Sequence, residues 1–226
     1  DENRPVMRGL EAPFGLTYIP GQWLESIQIA KGPSSVTNGL EAITGQINME
    51  HRKPTADQPF YLNLFGNSNL RTEANLASSL QLNDQLSTVV MGHASYDAMK
   101  HDGNGDGFMD EPLSKQFNID NRWLYVFKNN AQLRFGVKAL NDIRIGGQKD
   151  YSKGMNDITL HEAYNKGIWG TQIQNSGITG YVKLGIPISE DQGDNIAFVA
   201  DYSYYDMKSS YGVKYFNGYQ NMAFFN

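Results

Sequence analysis

From Pro59 onward the chain carries run after run in which apolar and polar residues alternate, separated by turns and loops. This period-two alternation restricts the fold more than any other feature, because it puts each kind of side chain on its own face of an extended strand. Phe60, Leu62 and Leu64 share one face, with Tyr61, Asn63 and Phe65 on the other. From Arg71 to Leu82, Ala74, Leu76, Leu80 and Leu82 oppose Glu73, Asn75, Ser79 and Gln81. From Leu86 to Met99, Leu86, Val90, Ala94 and Tyr96 oppose Ser87, His93, Ser95 and Asp97. Phe117, Ile119, Trp123, Tyr125 and Phe127 then oppose Asn118, Asp120 and Arg122, and Leu133, Phe135, Val137 and Ala139 oppose Gln132, Arg134 and Lys138. Ile178, Val182, Leu184 and Ile186 face away from Thr179, Tyr181 and Lys183, and Ile196, Phe198, Ala200, Tyr202 and Tyr204 away from Asp201, Ser203 and Tyr205. With a last strand over Tyr215–Phe225, the pattern predicts about eight strands, each long enough for the roughly 9–11 residues a tilted transmembrane strand needs.

The connections alternate in length. Tight turns are expected near Asn83, Asn129 and Asp191, and larger ones over Met99–Gln116, Ile143–Ser176 and Met207–Val213, with a short first hairpin loop at Gly66–Leu70 as the departure. Short turns on one side and long loops on the other are the asymmetry of an outer-membrane barrel. A soluble sandwich has less reason for it, and would turn its apolar faces inward.

Composition narrows the field. Nineteen basic against 24 acidic residues give a net charge of −5 and a pI of about 5.3, so no general attraction to nucleic acid is expected. There is no cysteine, which removes disulfides, thiolate metal sites and thiol catalysis. Mean hydropathy is −0.50, and no apolar run approaches the roughly 18 residues of a membrane-spanning helix. Thirteen Tyr and 11 Phe with 23 Gly favour an aromatic-rich β protein.

A different pattern precedes the hairpins. Ile19–Glu50 reads IPGQWLESIQIAKGPSSVTNGLEAITGQINME. Leu24, Ile27 and Ile29 lie in a strand that Lys31-Gly32-Pro33 ends. Pro33 is expected to open a short helix, Ser34 or Ser35 to satisfy amides of its first turn, and Asn38-Gly39 to stop it. Ile43, Ile47 and Met49 resume a strand that Lys53-Pro54 breaks, and the composition shift over Arg52–Asp57 divides the chain into residues 1–55 and 56–226.

This segment resembles the end of the plug domain of TonB-dependent outer-membrane receptors, roughly "ip…ESIeVlKGpsSvlyGs.aiaGvINi". The matching residues are Glu25, Ser26, Ile27, Lys31, Gly32, Pro33, Ser35, Gly39, Ala42, Gly45, Ile47 and Asn48. Arg8-Gly9-Leu10 is similar to the family's "RG" segment, where the plug chain turns near the ligand side. The resemblance implies an all-β protein: part of a plug domain, then antiparallel transmembrane strands belonging to a barrel of about 22. Opening on Asp1 without a leader and closing on Asn226, the chain is expected to be a fragment of a longer exported protein. Glycan-importing members commonly read "KDAS" where this chain has Lys31-Gly32-Pro33-Ser34, which favours the siderophore, haem, cobalamin or metal-chelate branch.

The second motif is Asp102-Gly103-Asn104-Gly105-Asp106-Gly107-Phe108-Met109-Asp110. Asp102, Asn104, Asp106, the Phe108 carbonyl and Asp110 follow the ligand order of an EF-hand-like loop, with Gly107 at the sharp turn. Hard oxygens at every second residue suit Ca²⁺. Position 12 is Leu113 and not a bidentate Glu, so Glu111 or a neighbouring loop would have to complete the shell; the alternative is a solvated Asp/Gly turn that binds nothing.

Met91, His93, Met99, His101 and Met109 carry soft donors but no tight ligand spacing, which favours packing and hydrogen bonding over haem or copper binding. His161-Glu162 lacks the second His of a zinc protease helix. Asp120, Arg122, Arg134, Lys138, Lys183 and Asp201 read as the mixed charges of a water-filled lumen, with guidance of an anionic ligand as the alternative. Tyr202, Tyr204, Tyr205, Tyr211, Tyr215 and Tyr219, with Trp123 and Trp169, fit an interfacial girdle or a stacking surface for an aromatic ligand.

As the resemblance implies, the protein is a receptor and transporter of the bacterial outer membrane, not an enzyme. It would take up an extracellular small molecule or metal chelate, contact lipid, and be driven by a TonB-type coupling protein acting on a segment outside this chain. Two other classes remain: a small outer-membrane barrel for structure or adhesion, and a soluble calcium-binding β-domain. The latter would point Phe135, Val137, Val182 and Leu184 into a protein core.

Overall fold

The computed structural model describes residues 6–33, 44–56, 58–151, 167–188 and 195–226. Two antiparallel sheets carry the chain. The smaller pairs β1 (Leu24–Lys31) with β2 (Gly45–His51). The larger has eight strands: β3 (Phe60–Gly66), β4 (Thr72–Gln81), β5 (Leu86–Asp97), β6 (Leu113–Val126), β7 (Gln132–Gly147), β8 (Gly170–Pro187), β9 (Asn195–Tyr211) and β10 (Lys214–Phe225). Each pairs with its neighbour in sequence, so β3 and β10 are the two edges. Helical structure among the described residues is confined to 3₁₀ turns at Gly9–Glu11, Gly15–Tyr18, Gly21–Trp23 and Lys149–Tyr151. The fold is all-β, as the alternation predicts.

Asparagines close three of the turns. The Asn83 side-chain oxygen accepts from the amides of Gln85 and Leu86, Asn129 from Ala131, and Asn67 from Asn69 and Arg71. Each side chain stands in for a backbone carbonyl and sets the hairpin register. The helix expected after Pro33 lies outside the described residues, as do Ile43, His161, Glu162 and the turn at Asp191.

Two expected loops are partly strand. β7 continues past Asp142 and β8 starts at Gly170, so the connection spans residues 148–169 and not 143–176. The ladder accounts for this, because Ile143 pairs with Gln174 and Gly147 with Gly170, satisfying backbone groups that composition alone presents as irregular. Met207–Val213 was expected as a larger connection and is instead the end of β9 and a two-residue turn. Gly212, at φ +59°, gives the left-handed step that lets Tyr211 face Lys214 directly.

The faces of the large sheet are inverted relative to a soluble domain. One row of paired residues crosses all eight strands as Asn63, Asn75, His93, Asn118, Leu140, Gly177, Tyr205 and Gln220. It belongs to the face covered by residues 8–23, the inner segment, and it is mostly polar. The adjacent row on the outer face reads Leu62, Leu76, Gly92, Ile119, Ala139, Ile178, Tyr204 and Asn221. Buried residues of the inner face include Asp120, Arg122 and Asp201, while Phe117, Val137, Ile178 and Phe198 are exposed on the outer one. Strand spacing and rise make this apolar field on the order of 1,000 Å², against roughly 300–600 Å² for the largest patch of an ordinary soluble monomer.

Candidate functional site

The inner segment is held by its backbone. Gln116 donates its side-chain amide to Thr17 O at 2.8 Å, and Asn118 donates to Tyr18 O at 3.0 Å. Gln220 accepts from the Leu10 amide at 2.8 Å. Gly9, at φ +60°, lies against that Gln220 amide, so a side chain there would meet both strain and a clash. Two large side chains then enter the sheet. Trp23 packs on Ala77, Val89 and Met91, and Tyr18 packs on Leu140 and Tyr205. The Tyr18 hydroxyl donates to Asp142 Oδ2, accepts from Asn175 Nδ2 at 2.8 Å, and lies 3.3 Å from the Tyr205 hydroxyl.

Below, the β1–β2 hairpin is tied to the chain that leads into β3. The Lys53 amide donates to Glu25 Oε1, the Lys53 ammonium stands 3.6 Å from Glu25 Oε2, and Ser26 donates to Glu50. Glu25 and Ser26, two of the residues that carry the family likeness, therefore fasten the hairpin and do not reach the cleft described next.

A cleft of about 500 Å³ opens between Leu16–Gln22 and the inner face of β4 to β7. Arg71, Glu73, His93, Ser95, Asp97, Ser114, Gln116 and Arg144 form its wall, and Glu111 and Pro112 from the loop between β5 and β6 form its rim. Arg71 and Glu73 neutralise each other at 2.6 Å. His93 hydrogen-bonds Asn75 at 2.7 Å. Arg144 donates from Nε to Asp142 Oδ2 at 2.9 Å and from Nη2 to Thr17 Oγ1 at 3.0 Å, and one face of its guanidinium is covered by the Phe14 ring. A chamber with walls of both charges and a lip of loop residues is suited to binding and releasing a polar solute.

The Asp102 loop borders this cleft. Asp102 accepts from the amides of Gly105, Asp106 and Gly107, with Gly105 and Gly107 in the left-handed region. Asn104 and Asp106 pair side chain to side chain at 3.0 Å, Asp106 accepts from the Phe108 amide, and Asp110 accepts from the Gly103 amide at 2.7 Å. Burial raises the Asp102 pKa, but the Gly107, Gly105 and Asp106 amides and the Lys149 ammonium together hold it below the usual carboxylate value. The all-oxygen donor set fits a hard cation. Lys149 Nζ, 3.6 Å from Asp102 Oδ2, competes with one. Leu113, at the twelfth position, is buried against Ile145, and Glu111 lines the cleft. Among the described residues, no group of three or more His, Asp or Glu converges as a metal site.

The methionines and histidines do not assemble. Met91 is in the Trp23 cluster, Met109 covers Leu113 and Ile145, Met99 is exposed, and His101 stands 3.9 Å from Asp110. Lys138 reaches Glu11 at 4.0 Å, tying the sheet to the inner segment, and Arg122 donates to the Tyr181 hydroxyl. Tyr202, Tyr204, Tyr211, Tyr215 and Tyr219 are exposed, whereas Tyr205 turns inward to Tyr18. Sequence reasoning passed over Tyr18, Asp142, Arg144 and Asn175; the one available signal was the alternation of Asp142, Ile143, Arg144 and Ile145 running into the supposed loop. No protein-family model matches the chain, and neither a curated protein nor a solved structure matches it.

Proposed function

We propose that this chain is part of a TonB-dependent outer-membrane receptor, with residues 1–55 from the plug and residues 56–226 from the first strands of the barrel. It takes up a scarce extracellular solute of the siderophore, haem, cobalamin or metal-chelate kind, and no bond is made or broken. The observation that carries this reading is the inverted sheet: polar side chains seat the inner segment while a broad apolar field faces outward. Phe135, Val137 and Val182 are exposed, which weighs against the soluble calcium-binding domain. β3 and β10 do not pair with each other, which weighs against a closed eight-stranded barrel. Unpaired edges of this kind are stabilised by further strands. In water, apolar surface is unfavourable by about 25 cal/mol per Å²; against lipid that term vanishes.

The cleft above Tyr18 is the ligand site in this proposal, and lipid contacts the outer face. Ca²⁺ at Asp102, Asn104, Asp106, Phe108 and Asp110 would order the loop that forms the rim. Fractionation of cells producing the whole gene product tests the first claim: recovery with the outer membrane is expected, and recovery in the soluble fraction would sink it. Calcium titration of the parent and of Asp106→Ala tests the second, since identical responses would remove the cation.

A further inference from the structure

Asp97 is only 4% exposed, lines the cleft, and has no hydrogen-bond or ion-pair partner among the described residues. A buried carboxylate without a partner is costly, so the position calls for a positive or hydrogen-bond-donating group. Arg144 is its counterpart. Of the five guanidinium N–H groups, two are used, by Asp142 and Thr17, and the other three have no partner among the described residues. Those three include both hydrogens on Nη1, so that end of the guanidinium can donate to an anionic oxygen. Phe14 and Asp142 hold the group against swinging away.

Register places the two charges relative to each other. Asp97 pairs with Ser114, and Ser114 pairs with Arg144. They occupy one row of the inner face, two strands and about 10 Å apart. No side chain larger than serine stands between them. Arg144 does not neutralise Asp97, because its Nε is committed to Asp142 on its own strand. The nearby Arg71 is likewise committed to Glu73.

We propose that the cleft recognises a zwitterionic solute, with an anionic oxygen group on the Nη1 end of Arg144 and a cationic nitrogen on Asp97. This deepens the receptor reading and rests on it for the role of the cleft. An alkanoate would leave Asp97 without a partner, and an alkylamine would leave the remaining Arg144 N–H groups without an acceptor, and discrimination against both follows.

The detergent-solubilised whole gene product is titrated calorimetrically with ω-aminoalkanoates of four to eight carbons, and with the alkanoates and alkylamines of the same lengths. At least one zwitterion should bind about ten-fold tighter than both of its singly charged analogues. Asp97→Asn should abolish the advantage over the alkanoate. Arg144→Lys keeps a positive charge beside Asp142 but loses the fork, and should abolish the advantage over the alkylamine. Retained β-sheet circular dichroism establishes that each variant is folded. Equal binding of a singly charged analogue at every chain length, absence of binding by every zwitterion, or unchanged preference in a folded variant would each overturn the proposal. Membrane fractionation reads the receptor assignment separately. A chain that inserts without preferring zwitterions loses only this inference, and one that prefers them without inserting loses only the other.

Discussion

Tyr18 and Asp142, 124 positions apart in sequence, share a hydrogen bond of 3.1 Å inside the protein. The carboxylate beneath is fully buried, and its other oxygen, Oδ1, has no hydrogen-bond partner among the described residues. One phenol and the Arg144 guanidinium therefore carry most of the stabilisation of that charge. Tyr18→Phe keeps the packing on Leu140 and Tyr205 but takes from Asn175 Nδ2 its acceptor and leaves Asp142 held by the Arg144 guanidinium alone. The expected cost is about 1–3 kcal/mol, concentrated in the inner segment. Amide hydrogen exchange of Leu16–Ile19 should quicken by roughly ten-fold or more, with the central strands unaffected.

The outer face can be interrogated with one charge. Val137→Arg places a guanidinium in the apolar field. Against lipid it should weaken folding into vesicles by about 2–4 kcal/mol, depending on depth. If the face met water, an exposed substitution would change stability by about 0.5 kcal/mol at most. Equilibrium folding into lipid vesicles gives the number, and a value near the lower figure would contradict a lipid-facing sheet.

Acid should loosen the Asp102 loop in a defined direction. The folded pKa is depressed, so the stabilisation is present above the unfolded carboxylate value of about 3.9. It is lost as pH falls through the lower folded value. The amide resonances of Gly105 and Gly107, both donating to Asp102, should titrate together below that pH, and Asp102→Asn should remove the transition.

Gly9→Ala tests the contact between the inner segment and β10. The substitution meets left-handed strain and the Gln220 side chain at once, and should cost more than about 1 kcal/mol. Exchange at the Leu10 amide, which Gln220 protects, is the local readout. Pairing Gly9→Ala with Gln220→Ala removes the clash but not the strain, so partial recovery is expected and full recovery would discount the backbone term.

Much of the architecture was legible because a strand's faces are written in alternate residues. Trp123 beside Arg122 and Phe135 beside Arg134 assign their faces without any tertiary knowledge. The turn asparagines were legible for the same local reason. Arg144 was not, because polar residues and glycines after Asp142 look like loop until β8 is present to pair with them. Ser209 and Ser210 misled in the same way: both are buried, in a strand whose composition resembles a turn. The chemistry of the cleft was least legible, since Asp97, Ser114 and Arg144 meet only through register, which no local window contains. The family likeness rests on residues such as Glu25 and Ser26, which fasten a hairpin, and it named none of the residues of the cleft wall.

Gln116 and Asn118 grip main-chain oxygens of Thr17 and Tyr18, and Gln220 grips the main-chain amide of Leu10. Every residue type other than proline offers the same groups. Apart from a few anchoring side chains, the seat reads a path through space and not a spelling. Under the receptor reading, the tip of the inner segment is therefore at liberty to change its side chains, and with them the solute it favours, while the sheet that holds it stays as it is.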